Sequence, residues 1–305
     1  MNILITGGAG FIGSHLSERL LYKGDKVGII DNFATGRKEN VPEGAILSTG
    51  SIANMNEVSS IFDAIKPDVV IHAAASYKDP TDWYNDSLTN VHGTANILHA
   101  CKIYNCRRII YFQTSLCYGH PQEQPITLKH PIVPTNSYSI SKTAAEQYIK
   151  LSGLDFVSFR LANCYGKRNL SGPIPTFYNR LSKGQKCFVV NTRRDFVFVE
   201  DLCDIVMKAI YGTGYGYYHI STGKDYSIKE IYDLISKEMG LEDVKAEERE
   251  RGKDDVETIL LDPSRTTREF KLVPSTPLAK GIKKAIEWYK SNAIKKTYTH
   301  LEMDK

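Results

Sequence analysis

The sequence predicts an α/β protein: a Rossmann-type doubly wound parallel sheet with a smaller C-terminal domain that would bind substrate. Three observations predict it. Short apolar runs alternate with helical patterns through the first half of the 305 residues. Three glycines, Gly7, Gly10 and Gly13, fall at the joint between the first strand and the first helix. The pattern then breaks near residue 166, where Gly172, Pro173 and Pro175 mark a loop. Strands alternating with helices of this length imply βαβ units, hence a parallel sheet covered on both faces.

The elements follow in order. "NILIT" reads as a strand, "FIGSHLSERLLYKG" as a helix and "KVGIID" as a second strand. "EVSSIFDAI" is helical, "PDVVIHAAA" a strand and "NVHGTANILHACKIYN" helical. "RRIIYFQTS", "SKTAAEQYIKLSG" and "DFVSFRLAN" continue as strand, helix and strand. Beyond residue 166, "IPTFYNRLSKG" reads as a helix and "DFVFVEDLCDIVMKAI" as a strand running into a helix. Residues 221–305 suggest short helices and turns, ending in a polar, frayed "SNAIKKTYTHLEMDK". This places a dinucleotide-binding domain at 1–165 with a return segment near 192–220. Segments 166–191 and 221–305 form the cap that supplies a pocket wall.

Composition sets the outer limits. Apolar content of 42% and charged content of 24% are those of an ordinary globular protein. The net charge of +4 is spread along the chain, with no basic block dense enough for a nucleic-acid arm. The six cysteines form no C-x-x-C and have no accompanying histidine spacing, so no metal site is expected. They fit buried thiols in a reducing cytoplasm. No run approaches 18 apolar residues, and "MNILITGG" enters a strand directly, so the expectation is a cytoplasmic protein without a leader or a span.

The glycine loop "ITGGAGFIGSHL" is spaced G-x-x-G-x-x-G. Glycines also simply make turns. Here a strand precedes and a helix follows, so the loop fits a pyrophosphate held at a helix N-terminus. The second strand ends at Asp31, where a carboxylate accepts from ribose hydroxyls and repels a 2′-phosphate, favouring NAD over NADP. Arg37 nearby could instead meet a phosphate.

Tyr138 and Lys142 stand four apart at the start of a helix, on one face. A phenol near its ordinary pKa of about 10 is a poor base. Neighbouring cations favour the phenolate, and lowering the pKa by about 3 units takes roughly 4 kcal/mol. Tyr22 and Lys26 repeat the spacing but straddle Gly24, a helix stop, so their geometry is not fixed. Thr114 and Ser115 close the strand "RRIIYFQTS", where open parallel sheets bind ligands; either hydroxyl could orient a proton, or only cap a turn.

Together these residues resemble the extended short-chain dehydrogenase/reductase family, specifically its NAD-dependent nucleotide-sugar epimerases and dehydratases. The resemblance spans nearly the whole chain: "TGGAGFIG", "DNFATG", "DVVIHAAA", "NVHGT", "TSLCYG", "YSISK", "RLANCYG", "RRDFVFVEDL" and "LDPSR", in that order. The order resembles UDP-glucose 4-epimerases, and bacterial surface-polysaccharide epimerases of the WbmG kind more than housekeeping galactose epimerases. By this resemblance Tyr138 is the base, Lys142 anchors the ribose and lowers the tyrosine pKa, and Thr114, rather than Ser115, is the hydroxyl partner. Gly7, Gly10, Phe11, Ile12, Gly13, Asp31, Asn32, Gly36, Ile52, Ala73, Ala74, Ala75, Asn90 and Leu161 would line the NAD site. Asn163 and Arg194 would hold the nucleotide-sugar, with Arg251 a looser second phosphate contact and Arg249 nearly as good.

Three departures refine what is implied. The Asp-Glu pair that follows the threonine in family 4,6-dehydratases is Ser115-Leu116 here, and leucine transfers no proton. Ser51 replaces the aspartate usual after the third strand, and the hairpin before "RDF" is shortened to "CFVVNTRRDF". The implied reaction is inversion at C4 of a UDP-hexose through a transient 4-keto sugar, with CDP- and GDP-sugars as alternatives. A nucleotide-sugar dehydrogenase, a 4-ketoreductase, an atypical dehydratase and, remotely, a non-catalytic dinucleotide- or nucleic-acid-binding scaffold are the rival readings. The resemblance also implies a homodimer through the two helices "NVHGTANILHACK" and "SKTAAEQY", with Ile97, Leu98, Ala145 and Tyr148 on the apolar face.

Overall fold

The computed structural model describes residues 1–77, 79–251, 256–292, 294 and 297–298. Seven parallel strands form the main sheet: β1 (Asn2–Thr6), β2 (Lys26–Asp31), β3 (Ile46–Thr49), β4 (Val69–His72), β5 (Arg108–Thr114), β6 (Asp155–Leu161) and β10 (Gly216–Ile220). Their order is β10-β6-β5-β4-β1-β2-β3. Ile3, Leu4 and Ile5 are all fully buried, though alternate residues face opposite sides. That requires cover on both faces, and two core clusters provide it. One holds Ile3, Ile5, Leu16 and Val206, the other Leu4, Ile30, Phe62 and Ile97. The order reverses between β1 and β4, which opens a crevice at the carboxyl ends of these strands.

The helices on this sheet are α1 (Phe11–Tyr22), α2 (Met55–Ile65), α3 (Trp83–Asp86), α4 (Gly93–Ile103), α5 (Ser137–Leu151) and α7 (Val199–Ile210). A π-helical turn, Ser87–His92, joins α3 to α4. The expected dimer face needs correction here. Ile97, Leu98 and Ala145 turn inward and pack with Ile61, Tyr111 and Phe156 in the chain's own core. Of the four residues expected on that face only Tyr148 is exposed.

A second, smaller layer contains β7 (Asn163–Tyr165), β9 (Arg193–Phe198), β11 (Asp225–Ser227) and β13 (Thr258–Ile259), all in one sheet through β9. Strands β8 (Phe188–Val190) and β12 (Glu247–Arg249) form a parallel pair. The helices α6 (Pro173–Leu181), α8 (Ile228–Glu238) and α10 (Leu278–Asn292) share a third core cluster, with α9 (Ser264–Phe270) beside β10. The return segment therefore divides. Strand β9 pairs in the small sheet, and only α7 and β10 rejoin the large one. Residues 221–305 are also more regular than short helices and turns: α8 has 11 residues and α10 has 15. Tyr298 is tied down, its N–H donating to Leu170 O and its carbonyl accepting from Gly172 N. Ser291 and Asn292 of the expected frayed end belong to α10, and residues 293, 295–296 and 299–305 lie outside the described residues.

Candidate active site

The carboxyl ends of β1 and β4 meet at the glycine loop. Gly7 has φ +69°, and a Cβ there would lie 2.8 Å from Ala74 N. A Cβ on Gly13 would come within 2.4 Å of Gly7 O. Only glycine lets these backbones approach so closely. Gly10 caps α1, with its N–H donating to Gly7 O, and Phe11 and Ile12 open the helix against the core. The loop is thus a cradle with the N–H groups of a helix start at its floor, which fits a pyrophosphate.

Asp31 ends β2, 7% exposed, and accepts from Ala9 N at 2.9 Å and Phe33 N at 2.8 Å. Burial pushes its pKa up while these two bonds pull it down. Gly36 lies against this carboxylate, and Asn32 is exposed beside it, turned to Ala34 N. Arg37 pairs with Glu39 at 3.7 Å, leaving the acidic character of the strand end intact. A carboxylate of this kind suits ribose hydroxyls and repels a 2′-phosphate. Ile52 is placed differently from a ligand contact: its side chain is buried between α2 and α4, and its carbonyl accepts from Asn96.

Ala73, Ala74 and Ala75 leave β4 partly exposed, with the N–H groups of Ala73 and Ala74 donating to Thr6 O and Oγ1. Below them His72 lies 2.8 Å from both Thr6 Oγ1 and Thr94 Oγ1. Burial, with help from the Lys142 charge, lowers its pKa to about 3, so it stays neutral. This network braces β1, β4 and α4 under the cradle.

Helix α5 starts with a capping box: Asn136 accepts from Ser139 N, and Ser139 Oγ is reached by Asn136 N. That stops fraying in the turn that carries Tyr138. Lys142 is 3% exposed, and its ammonium lies 4.0 Å from the centroid of the Tyr111 ring. Desolvation lowers its pKa to about 7, partly opposed by Glu146 one turn on. The expectation that Lys142 depresses the Tyr138 pKa is not met within the protein alone. Burial raises the phenol well above its ordinary value, and Tyr77 and Asp86 add to the rise. Asn90, inside the π turn, accepts from Ser76 N and donates to Ser76 O and Ser141 Oγ. It therefore couples the loop after β4 to the helix of Tyr138 and Lys142.

Thr114 ends β5 opposite Leu161 of β6, and its Oγ1 accepts from Leu116 N at 3.1 Å. Accepting there leaves the hydroxyl proton to be donated elsewhere. Leu116 packs on the main core. Tyr22 is 94% exposed and Lys26 reaches Ala64 O, so the second tyrosine–lysine copy diverges. Asn163 is exposed on β7, and Arg194 lies on the adjoining β9. Arg194 donates to Glu257 O at 3.1 Å while Arg251 pairs with the Glu257 carboxylate at 3.0 Å, which gathers both arginines at one segment. Arg249 instead pairs with Glu247 and stacks on Phe188.

Residues missed by sequence reasoning also meet here. Glu146, fully buried, accepts from Arg160 and Ser158, and Arg160 donates to Tyr118. The signal was present in the four-residue step from Lys142 to Glu146. Tyr77, whose ring centroid is 6.5 Å from that of Tyr138, and buried Asp86 gave no such signal.

A doubly wound sheet with a glycine cradle, a ribose-competent aspartate and a tyrosine–lysine helix defines a dinucleotide-dependent enzyme of the short-chain dehydrogenase type. Residues 3–216 match the NAD dependent epimerase/dehydratase family, and the chain belongs to it. The resemblance read from the sequence holds, and NAD is the cofactor of the family. Bordetella bronchiseptica WbmH, in a crystal structure with NAD+, is 49% identical over 96% of this chain and 99% of its own, with a TM-score of 0.92. WbmG of the same organism, in complex with NAD and UDP, is 41% identical over 99% and 98%, with a TM-score of 0.91. A Mycolicibacterium smegmatis UDP-glucose 4-epimerase is 28% identical over 96% of this chain and all of its own. No helix among the described residues is long and apolar enough to cross a membrane, and none of their His, Cys, Asp or Glu side chains group as a metal site.

Proposed function

We propose that the protein inverts C4 of a UDP-hexose as an NAD-dependent nucleotide-sugar epimerase, a step suited to polysaccharide biosynthesis in the cytoplasm. The observation that carries this reading is the capped start of α5, which carries Tyr138 and, four residues on, the buried Lys142. The likeness to WbmG, solved with NAD and UDP, supports the choice of nucleotide. Gly7, Gly10 and Gly13 would cradle the pyrophosphate and Asp31 the adenosine ribose, with Phe11, Ile12, Asn32, Gly36, Ala73, Ala74, Ala75 and Leu161 around them; Ile52 would offer only its main chain. NAD, when bound, would accept the C4 hydride and give it back, and its oxidised form would bring a positive charge to the site.

Tyr138 takes the proton of the 4-hydroxyl and returns it, with Thr114 donating to the same oxygen and fixing its position. Lys142 holds the nicotinamide ribose, and Asn90 keeps α5 in register with the loop after β4. Asn163 on β7 and Arg194 on β9, both in the small sheet, hold the diphosphate-linked part of the substrate together with Arg251 of the cap. Leu116 in the core argues against 4,6-elimination. The enzyme works as a homodimer through the outer faces of α4 and α5.

The test is incubation with a panel of UDP-, CDP- and GDP-sugars, with product stereochemistry read by NMR. Inversion at C4 of a UDP-sugar without consumption of added NAD is expected. Net oxidation, net reduction or loss of water would overturn the reading. Tyr138→Phe should lose turnover by about 10²-fold or more yet still bind NAD; an active variant would remove Tyr138 from its role.

A further inference from the structure

The join between α3 and the π turn holds a charged group that the site described above does not use. Asp86 is the last residue of α3 and is 1% exposed. Its Oδ2 accepts a 2.7 Å hydrogen bond from Ser137 Oγ, the first residue of α5 and the neighbour of Tyr138. Its Oδ1 is buried, and no donor, neutral or cationic, reaches it among the described residues. A buried carboxylate oxygen without a donor destabilises a fold, so an asparagine of the same shape would serve better if Asp86 only held Ser137.

We infer that Asp86 is a positioning residue for Tyr138: through Ser137 it ties down the first turn of α5, and it sets a buried negative charge against that turn. The inference rests on the reading of Tyr138 as the base. A group that takes a proton from a sugar hydroxyl and returns it must not be too weak a base once ionised. The cations at the site, Lys142 and the oxidised nicotinamide, weaken it; Asp86 offsets them. The groups recorded against the phenol are Tyr77 from the segment after β4, Asp86 from α3 and Tyr111 from β5, with Lys142 four residues on along its own helix. Of these, Tyr77 and Asp86 both act to keep the proton on Tyr138, in the same direction as burial.

Asp86→Asn separates charge from hydrogen bonding, because the amide oxygen can still accept from Ser137. Removing the negative charge makes the phenolate easier to form. The acid limb of kcat/KM against pH should therefore move down by about one unit. Melting temperature should hold or rise, since an uncompensated buried charge is gone. Ser137→Ala keeps the charge and loses the bond, so kcat should fall several-fold while the limb stays in place. An unmoved limb in Asp86→Asn overturns the inference. Should that variant not fold, a wild-type kcat in Ser137→Ala overturns it instead. Tyr138→Phe keeps the two readings apart: if it is active the base assignment fails, and if it is dead while the Asp86→Asn limb stays put, only the role of Asp86 fails.

Discussion

Burial holds the Lys142 ammonium to a pKa of about 7, against 10.5 for an ordinary lysine. The folded protein thus releases this proton earlier than the unfolded chain. Between about pH 7 and 10.5 the unfolded state binds more protons, so stability rises with pH through that window. Below it, the chain carries a buried charge offset, among the described residues, by the Tyr111 ring and Glu146. Lys142→Met should remove this penalty and with it the turnover. Thermal melts across the window should show a higher melting temperature for the variant at neutral pH and a flatter dependence on pH. A variant less stable than wild type at neutral pH would mean that the ring contact outweighs desolvation. At this scale the sequence was readable where chemistry follows spacing. Tyr138 and Lys142 share a face because they are four apart, and Tyr22 with Lys26 fails because Gly24 ends the helix. It was silent on Asp86, whose burial depends on how α3 docks against α5, and on Tyr77, which lies in a segment without periodicity.

Helix α5 carries the reacting tyrosine in its first turn, the turn most prone to fray, and the Asn136–Ser139 capping box is what holds it. Asn136→Ala removes one half of that box and should lower stability by about 1 kcal/mol. The expected signature is a larger fall in kcat than in melting temperature, because the loosened turn holds Tyr138. Equal activity at unchanged stability would show that Ser137 and Asp86 suffice without the cap. Elements with a long apolar run were legible in the sequence, β1, β4, β5 and β6 among them. Strand β3 is a half-polar edge of four residues, exposed at Ile46 and Leu47, and gave little pattern. Strand β10 pairs with β6 across some 60 residues of chain, which no local pattern encodes. For β9, "DFVFV" marks a strand correctly but does not say which sheet receives it. That choice is made by Tyr165, Phe196 and Phe198 packing into the cluster of α6, α8 and α10.

The whole molecule divides its apolar surface between these clusters and an outer face that the single chain leaves uncovered. Helix α5 shows Ile140, Tyr148 and Leu151 to the outside, 52%, 47% and 80% exposed, and Ile103 at the end of α4 is 57% exposed. Positions 140, 148 and 151 fall along one side of the helix, within about 80° at 100° per residue. Helices α4 and α5 also pack against each other, so a second copy related by a two-fold axis would complete a four-helix layer. This replaces Ile97, Leu98 and Ala145, which serve the chain's own core, with residues that point outward. The same helix α5 presents Lys142 and Tyr138 inward, so association would stiffen the element that carries the chemistry. Replacing Tyr148 and Leu151 together by glutamate places two charges on the proposed two-fold face without touching the core. Light scattering on the eluted protein should give twice the chain mass for wild type and the chain mass for the double variant, with NAD binding retained in both. A wild type that elutes as a monomer at micromolar concentration, or a double variant that stays dimeric, would remove this face from the assembly and leave its exposed apolar residues to another partner.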